Sequence, residues 1–188
     1  MTTLQIIVAS TRPGRIGRPI ADWVAERAGA HGAFDVELVD LAEWNLPMMD
    51  EPAHPRLRRY THQHTKDWSA RIDSGDAYAF VLPEYNYGYT APLKNALDYL
   101  YGEWSDKPVG LVSYGGIAAG TRAAQLLRPV LASVQLVCVP EMCSIPWAGK
   151  AVADGVFTAP EGAEHSLSAL LDSLASWAPT LAARRAAR

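Results

Sequence analysis

The segment Tyr78-Ala79-Phe80-Val81-Leu82-Pro83-Glu84-Tyr85-Asn86-Tyr87-Gly88-Tyr89-Thr90-Ala91-Pro92-Leu93-Lys94-Asn95-Ala96-Leu97-Asp98-Tyr99-Leu100 changes its pattern twice. It opens as a short apolar run of strand formers, the pattern of a strand buried on both faces. Pro83 ends that run, since proline has no N–H for the ladder. From Pro92 onward Leu93, Ala96, Leu97 and Leu100 recur at helical spacing, and proline is tolerated in a first helical turn. Between strand and helix lies a loop, Glu84 to Ala91, with three tyrosines, an asparagine and a glycine. In an open α/β sheet the loop at a strand's carboxyl end is where ligands bind. Tyrosine faces and hydroxyls there suit a planar ligand with polar edges. The alternative is a packed turn with surface aromatics.

Upstream, Leu4 to Ala9 reads as a first strand. The loop Ser10-Thr11-Arg12-Pro13-Gly14-Arg15-Ile16-Gly17-Arg18 follows, with two glycines, two hydroxyls and three arginines. A helix comes next, its inner face Ile16, Ile20, Trp23, Val24 and Ala28, ended by Gly29 and Gly32. Free N–H groups at a helix N-terminus and the helix dipole favour an anion. Ser10 and Thr11 add hydroxyls and Arg12 a charged fork. The loop matches neither G-x-x-x-x-G-K-[ST] nor G-x-G-x-x-G, which leaves a phosphomonoester as the fitting ligand. The competing reading is a polar turn with solvated arginines.

Phe34 to Leu41 alternates, as in a second strand nearer the sheet edge. Glu43 to Thr65 is a long connection broken by Pro47, Pro52 and Pro55; such loops are functional or mobile. Trp44, Met48 and Met49 fit packing beneath it better than covering a ligand. His62-Gln63-His64 has no further ligands nearby and reads as polar residues at a helix start. A short helix over 66–74 leads into the central strand.

Pro108 to Val112 is a fourth strand, closed by Ser113-Tyr114-Gly115-Gly116. The loop through Gly120 is nearly bare of side chains, so its backbone N–H groups can approach a ligand. Thr121 is the expected cap of the next helix, with Ala123, Leu126, Leu127, Val130 and Leu131 inward and Pro129 kinking or shortening it. Val134 to Val139 is a fifth strand, followed by an excursion over 140–165. Leu167, Leu170, Leu171, Leu174, Ala178 and Leu181 mark a last amphipathic helix, disturbed by Pro179. The basic tail Arg184 to Arg188 reads as frayed.

With 188 residues, 49% hydrophobic and 20% charged, the chain is expected to form a single domain over 1–188 with a substantial core. The formal net charge of −3 supplies no electrostatic reason for nucleic acid. No apolar run reaches a membrane span, and no basic leader precedes the first strand, so a cytoplasmic protein without membrane partners is expected. Cys138 and Cys143 fit neither a disulfide framework nor a C-x-x-C site, and Cys138 reads as a small core residue.

Five strands alternating with helices imply a parallel sheet covered on both faces, a three-layer α/β sandwich. Right-handed crossovers and five strands favour the flavodoxin-like order 2-1-3-4-5, with its switch point between strands one and three. That order sets the Ser10, Tyr85 and Ser113–Gly116 loops side by side. A ligand with a phosphate at one end and a flat ring at the other fits, and FMN is such a ligand.

At these positions the chain resembles the NAD(P)H-dependent FMN reductases, which include quinone, azo-dye and chromate reductases. The resemblance rests on Ser10-x-Arg12, Pro83-Glu84-Tyr85-Asn86, Leu93-Lys94-Asn95-Ala96-Leu97-Asp98 and Gly120-x-Arg122-Ala123, and covers about residues 4 to 140. It implies that Ser10, Arg12, Ile16 and Gly17 hold the FMN phosphate. Pro83, Glu84, Tyr85 and Asn86 are implied to line the ring, with Tyr87 at the ribityl or ring edge. Ser113, Tyr114 and Gly115 complete the far side. Ala9 stands where many relatives have glycine, and Thr90-Ala91-Pro92 intervenes here where many have proline nearer Gly88. The implied activity passes hydride from NAD(P)H through FMN to a small acceptor by ping-pong turnover, with no acid–base side chain and with N–H groups near Gly115 facing the reduced ring. Glu84 is read as orienting its loop. The implied assembly is a homodimer or homotetramer, with Tyr89, Tyr101 and Trp104 either exposed for that contact or packed beneath the loops. The alternatives are an FMN electron carrier, disfavoured by the weak net charge, a reductase that releases reduced FMN to a monooxygenase, and a degenerate binding module.

Overall fold

Five apolar runs pair as parallel strands: β1 (Thr2–Val8), β2 (Phe34–Asp40), β3 (Ala77–Pro83), β4 (Pro108–Tyr114) and β5 (Val137–Ile145). The computed structural model describes residues 1–187 and places them in the order β2-β1-β3-β4-β5, as the sequence pattern predicts. The connecting helices are α1 (Gly17–His31), α2 (Leu41–Trp44), α3 (Gln63–Asp73), α4 (Ala91–Asp98) and α5 (Thr121–Ser133). After β5 come a hairpin of β6 (Val152–Ala153) and β7 (Val156–Phe157), then α6 (Ala163–Ala186). Asp154 and Gly155 at its tip have φ of 50° and 76°, the turn that matches strand twist.

Alternation along β3 separates two apolar clusters. Tyr78, Phe80 and Leu82 face Trp68, Leu97, Trp104 and Leu127, while Ala77, Ala79 and Val81 face the side of α1 and α6. The buried indoles are satisfied: Trp68 Nε1 donates to the Ala96 carbonyl at 3.0 Å and Trp104 Nε1 to Leu97 at 3.3 Å. Gly110 lets α6 approach β4, since a Cβ there would meet Leu170 Cδ2 at 2.6 Å. Long burial of this kind supplies most of the driving force.

Several local expectations are corrected. β4 continues through Tyr114, and β5 runs from Val137 to Ile145 across a bulge opposite Val109–Leu111. Pro140 is accommodated because β5 is an edge strand. Thr121 does not cap α5; Gly120 does, with φ 77°. Pro129 and Pro179 lie on exposed helix faces, where the carbonyl each leaves unbonded costs least, and both helices run past them. Leu126 is exposed, not inward. Helix α3 begins at Gln63, and the 43–65 stretch also holds the end of α2 and a 3-10 turn at Pro55–Leu57.

The basic tail is anchored rather than frayed as far as it is described: Arg185 Nη1 donates to the Asp106 carbonyl at 2.7 Å, and Arg184 Nε lies 3.0 Å from Asp106 Oδ1. Arg188 lies outside the described residues. Trp104 is buried in the core, Tyr89 packs against it, and Tyr101 sits 4.3 Å beneath the Arg56 guanidinium, so these aromatics pack under the loops. Trp44 packs edge-on against Trp68, whereas Met48 is exposed. No helix among the described residues is long and apolar enough to cross a membrane, and none of their His, Cys, Asp and Glu side chains form a metal-binding group; His62 and His64 stack beside Asp50.

Candidate functional site

At the carboxyl end of the sheet the chain leaves β1 through Ala9, whose N–H donates to Val81 at 3.0 Å. Ser10 is fully buried. A turn closed by the Arg15 N–H on the Arg12 carbonyl (3.1 Å), with Gly14 at φ 70°, then delivers the chain to α1. The N–H groups of Gly17 and Arg18 open the helix with no carbonyl one turn back to bond. The three arginines differ. Arg15 forms a fork on buried Asp40, with Nη1 2.7 Å from Oδ1 and Nη2 2.6 Å from Oδ2. Arg18 reaches Asp22, Asp40 and Glu43, and these carboxylates raise its pKa. Arg12 makes no ion pair among the described residues and is exposed at the cleft.

The second loop is a tight turn. The Glu84 N–H extends the ladder to Tyr114 O at 3.1 Å, and Tyr85 and Gly88 exchange two backbone bonds of 2.9 Å. Asn86 and Tyr87 between them take φ of 49° and 72°. Positive φ at a residue as bulky as tyrosine is held at a cost, which is found where a site needs the shape. The Glu84 carboxylate accepts from the Arg122 backbone N–H (3.2 Å) and from its Nη1 (2.8 Å), so it faces the start of α5. The Arg122 guanidinium then lies 4.1 Å over the Tyr87 ring. Thr90 caps α4 and donates to the Ala9 carbonyl at 2.7 Å, tying this loop to the first.

The third loop supplies Tyr114. Its hydroxyl meets the start of α1, where a Cβ on Gly17 would collide with it. Burial, reinforced by the Tyr85 hydroxyl, pushes its pKa well up, so it stays protonated. Ser113 is buried behind the loop, donating to Ala119 at 2.8 Å and lying 3.1 Å from Ser144. The Gly115 N–H is engaged on Ile145 O at 3.2 Å and the Ala119 N–H on Gly116 O at 3.1 Å, leaving Gly116, Ile117, Ala118 and Gly120 as the loop's free donors among the described residues. Trp147 and Ala148 bond back to the Gly116 and Gly115 carbonyls, both at 3.1 Å.

These loops enclose a cleft of about 330 Å³. Arg12, Gly14 and Ile16 form one side, and Pro83, Glu84, Tyr85, Tyr114 and Gly115 the other. Ser10 lies beneath, its Oγ 2.8 Å from the Tyr85 hydroxyl. Gly17 lies against Tyr114, Ser113 stands behind the wall, and Asn86 and Tyr87 form the turn's tip. Sequence reasoning missed Arg15 and Gly149 as contributors. Gly149 lines the cleft from the excursion after β5. Asn95 clamps the 47–49 backbone, accepting from Met49 N–H at 2.9 Å and donating to Pro47 O at 2.7 Å. The signal for Arg15 was present, in a loop with three arginines, but only the position of Asp40 tells which arginine is neutralised. A larger hollow of about 500 Å³ lies between α1 and β7, away from these loops, and its Glu164 is already bonded to Trp23 and Arg27.

The residues fit FMN chemically. An unpaired guanidinium and helix N-terminal N–H groups suit a phosphate at one end, and backbone edges with tyrosine hydroxyls suit a flat polar ring at the other. The family model described as NADPH-dependent FMN reductase matches residues 2–150. A NAD(P)H-dependent FMN reductase of Schizosaccharomyces pombe is 42% identical over 153 residues, 80% of this chain and 76% of that protein. One from a Nectria species is 35% identical, covering 83% of each chain. Among solved structures, the flavoenzyme NAD(P)H:(acceptor) oxidoreductase FerB of Paracoccus denitrificans aligns with a TM-score of 0.74 and 25% identity, over 96% of this chain and 98% of that one. With the fold, the three loops and the family model in agreement, the chain belongs to the NADPH-dependent FMN reductase family, oxidoreductases on a flavodoxin-like scaffold.

Proposed function

We propose that the cleft holds FMN and that the chain uses it to carry hydride from NAD(P)H to a small acceptor such as a quinone, an azo compound or a free flavin. The observation that carries this reading is the cleft's polarity along its length: donors and unpaired Arg12 at the α1 end, tyrosines and backbone edges at the β3 and β4 end. When bound, FMN supplies the hydride chemistry. Ser10, Arg12, Ile16 and Gly17 bind the phosphate; Pro83, Glu84, Tyr85 and Asn86 orient the ring, and Tyr87 guards its edge. Ser113, Tyr114 and Gly115 form the opposite wall, and N–H groups of Gly116 to Ala118 face the region where negative charge accumulates. Glu84 holds the loop through Arg122 and moves no proton. In this reading both substrates use one open face, so they alternate.

Self-association, as a homodimer or homotetramer, is proposed for the exposed apolar side chains around the cleft, Tyr87, Ile117, Leu126 and Trp147. The test of the reading is steady-state turnover of the FMN-loaded protein with NAD(P)H and a quinone. Parallel double-reciprocal lines support alternation of the two substrates. FMN retention without NAD(P)H oxidation would make the protein an electron carrier.

A further inference from the structure

The arginines of the first loop are divided by a single buried carboxylate. Asp40, at the end of β2, is fully buried. Its Oδ1 accepts from Arg15 Nη1 at 2.7 Å and from the Ala42 N–H at 3.0 Å; its Oδ2 accepts from Arg15 Nη2 at 2.6 Å and Arg18 Nη1 at 3.3 Å. Arg15 Nη1 also donates to the Ser10 carbonyl at 2.7 Å. One guanidinium thus joins β2 to the peptide that follows the Ser10 side chain, and the Arg15 N–H closes the turn on Arg12.

We propose that Arg15 and Asp40 are positioning residues: their buried pair holds the Ser10–Gly17 loop in the shape that receives the phosphate, and Arg15 is not itself a phosphate ligand. The proposal rests on the reading of the cleft as an FMN site. Pulling Arg15 toward a phosphate would leave Asp40 buried without its fork, and a buried charge that loses its partner is costly. Holding the Ser10 carbonyl on Arg15 instead fixes the peptide orientation, and with it where the Ser10 hydroxyl and Arg12 point. The planar fork makes two parallel bonds to Asp40 and a third contact to the backbone, which a lysine ammonium cannot reproduce.

The experiment measures dissociation constants of FMN and of riboflavin, the same ring without the phosphate, by quenching of flavin fluorescence. The proteins compared are wild type, Arg15→Met, Arg15→Lys and Asp40→Asn. Asparagine keeps an acceptor for the Ala42 N–H and is itself a good helix cap, so the Asp40→Asn protein tests the idea even if Arg15→Met does not fold. The expected result is that Arg15→Met and Asp40→Asn each weaken FMN by about ten- to hundredfold while riboflavin changes by less than about threefold. Arg15→Lys should resemble Arg15→Met. If Asp40→Asn, which releases Arg15, leaves FMN binding unchanged or tightens it, Arg15 is a direct ligand and the proposal is overturned. If FMN and riboflavin weaken together, the pair serves the fold in general, which also overturns it. Wild-type protein that binds neither flavin contradicts the FMN reading itself.

Discussion

The hydroxyls of Ser10 and Tyr85 lie 2.8 Å apart, so the loop after β1 is bonded directly to the loop after β3. Ser10 is buried and Tyr85 is exposed on the cleft wall, so the bond ties an interior side chain to one that lines the cleft. Tyr85→Phe removes one hydrogen bond and leaves the ring. It is expected to lower stability by about 0.5–1.5 kcal/mol and to weaken FMN binding. Thermal unfolding and an FMN titration on the variant check both; unchanged values would mean that the two loops are held independently of this bond.

Gly17, at the start of α1, lies against the Tyr114 hydroxyl at the end of β4. Gly17→Ala should cost about 1–3 kcal/mol, because a methyl meets the Tyr114 hydroxyl in a packed site. Tyr114→Phe takes away that oxygen, and the next ring atom lies 3.3 Å from the added carbon. The double variant should therefore be milder than the sum of the singles, with a coupling of about 0.5–3 kcal/mol in a double-mutant cycle. Additive effects would place the strain of Gly17→Ala elsewhere.

Glu84 sits in the motif that most invites a catalytic role, yet its carboxylate bonds to the Arg122 N–H and guanidinium. Glu84→Gln should lower stability by about 1 kcal/mol through the weakened bonds to Arg122. The shape of the pH–rate profile should not change. Loss of one limb of that profile would show that Glu84 transfers a proton.

Lys107 is buried with its ammonium on the carbonyls of Ile72 and Asp73, each at 3.0 Å, and its pKa is pushed down to about 8 by burial. An unfolded lysine titrates near ~10.4, so between about pH 8 and that value the unfolded chain binds more protons than the folded one. Stability contributed at this site therefore rises with pH across that window. Denaturant unfolding of wild type and Lys107→Met from pH 7 to 10 should diverge, with the wild type gaining relative to the variant as pH rises. Parallel curves would contradict the depressed pKa.

The strand order was legible because β1, β3 and β4 are apolar runs interrupted by helical patterns, and parallel topology leaves few arrangements for them. The loops could be named for the same reason: they follow the strands. Element ends were less legible. The extension of β5 past Pro140 depends on its being an edge, which only the assembled sheet decides. Prolines 129 and 179 were read as interruptions, but their cost depends on which helix face they occupy. The aromatics Tyr101 and Trp104 lie in the short connection between α4 and β4 and are covered by residues far away in sequence, such as Arg56 and Trp68. Within the site, residue types announced a phosphate end and a flat end. Which arginine is free, which N–H groups remain unbonded and what Glu84 faces are set by Asp40, Ile145 and Arg122, and none of these relationships follows from spacing along the chain.

The central claim is that one cleft takes reducing equivalents from NAD(P)H and gives them to a small acceptor through bound FMN. Its most direct test is anaerobic mixing of the FMN-loaded protein with NADPH, followed by a quinone, while the flavin absorbance is recorded. The account predicts loss of the visible band on adding NADPH, with no acceptor present, and its return on adding quinone. A band that persists with NADPH, or protein that takes up no FMN at all, would contradict it.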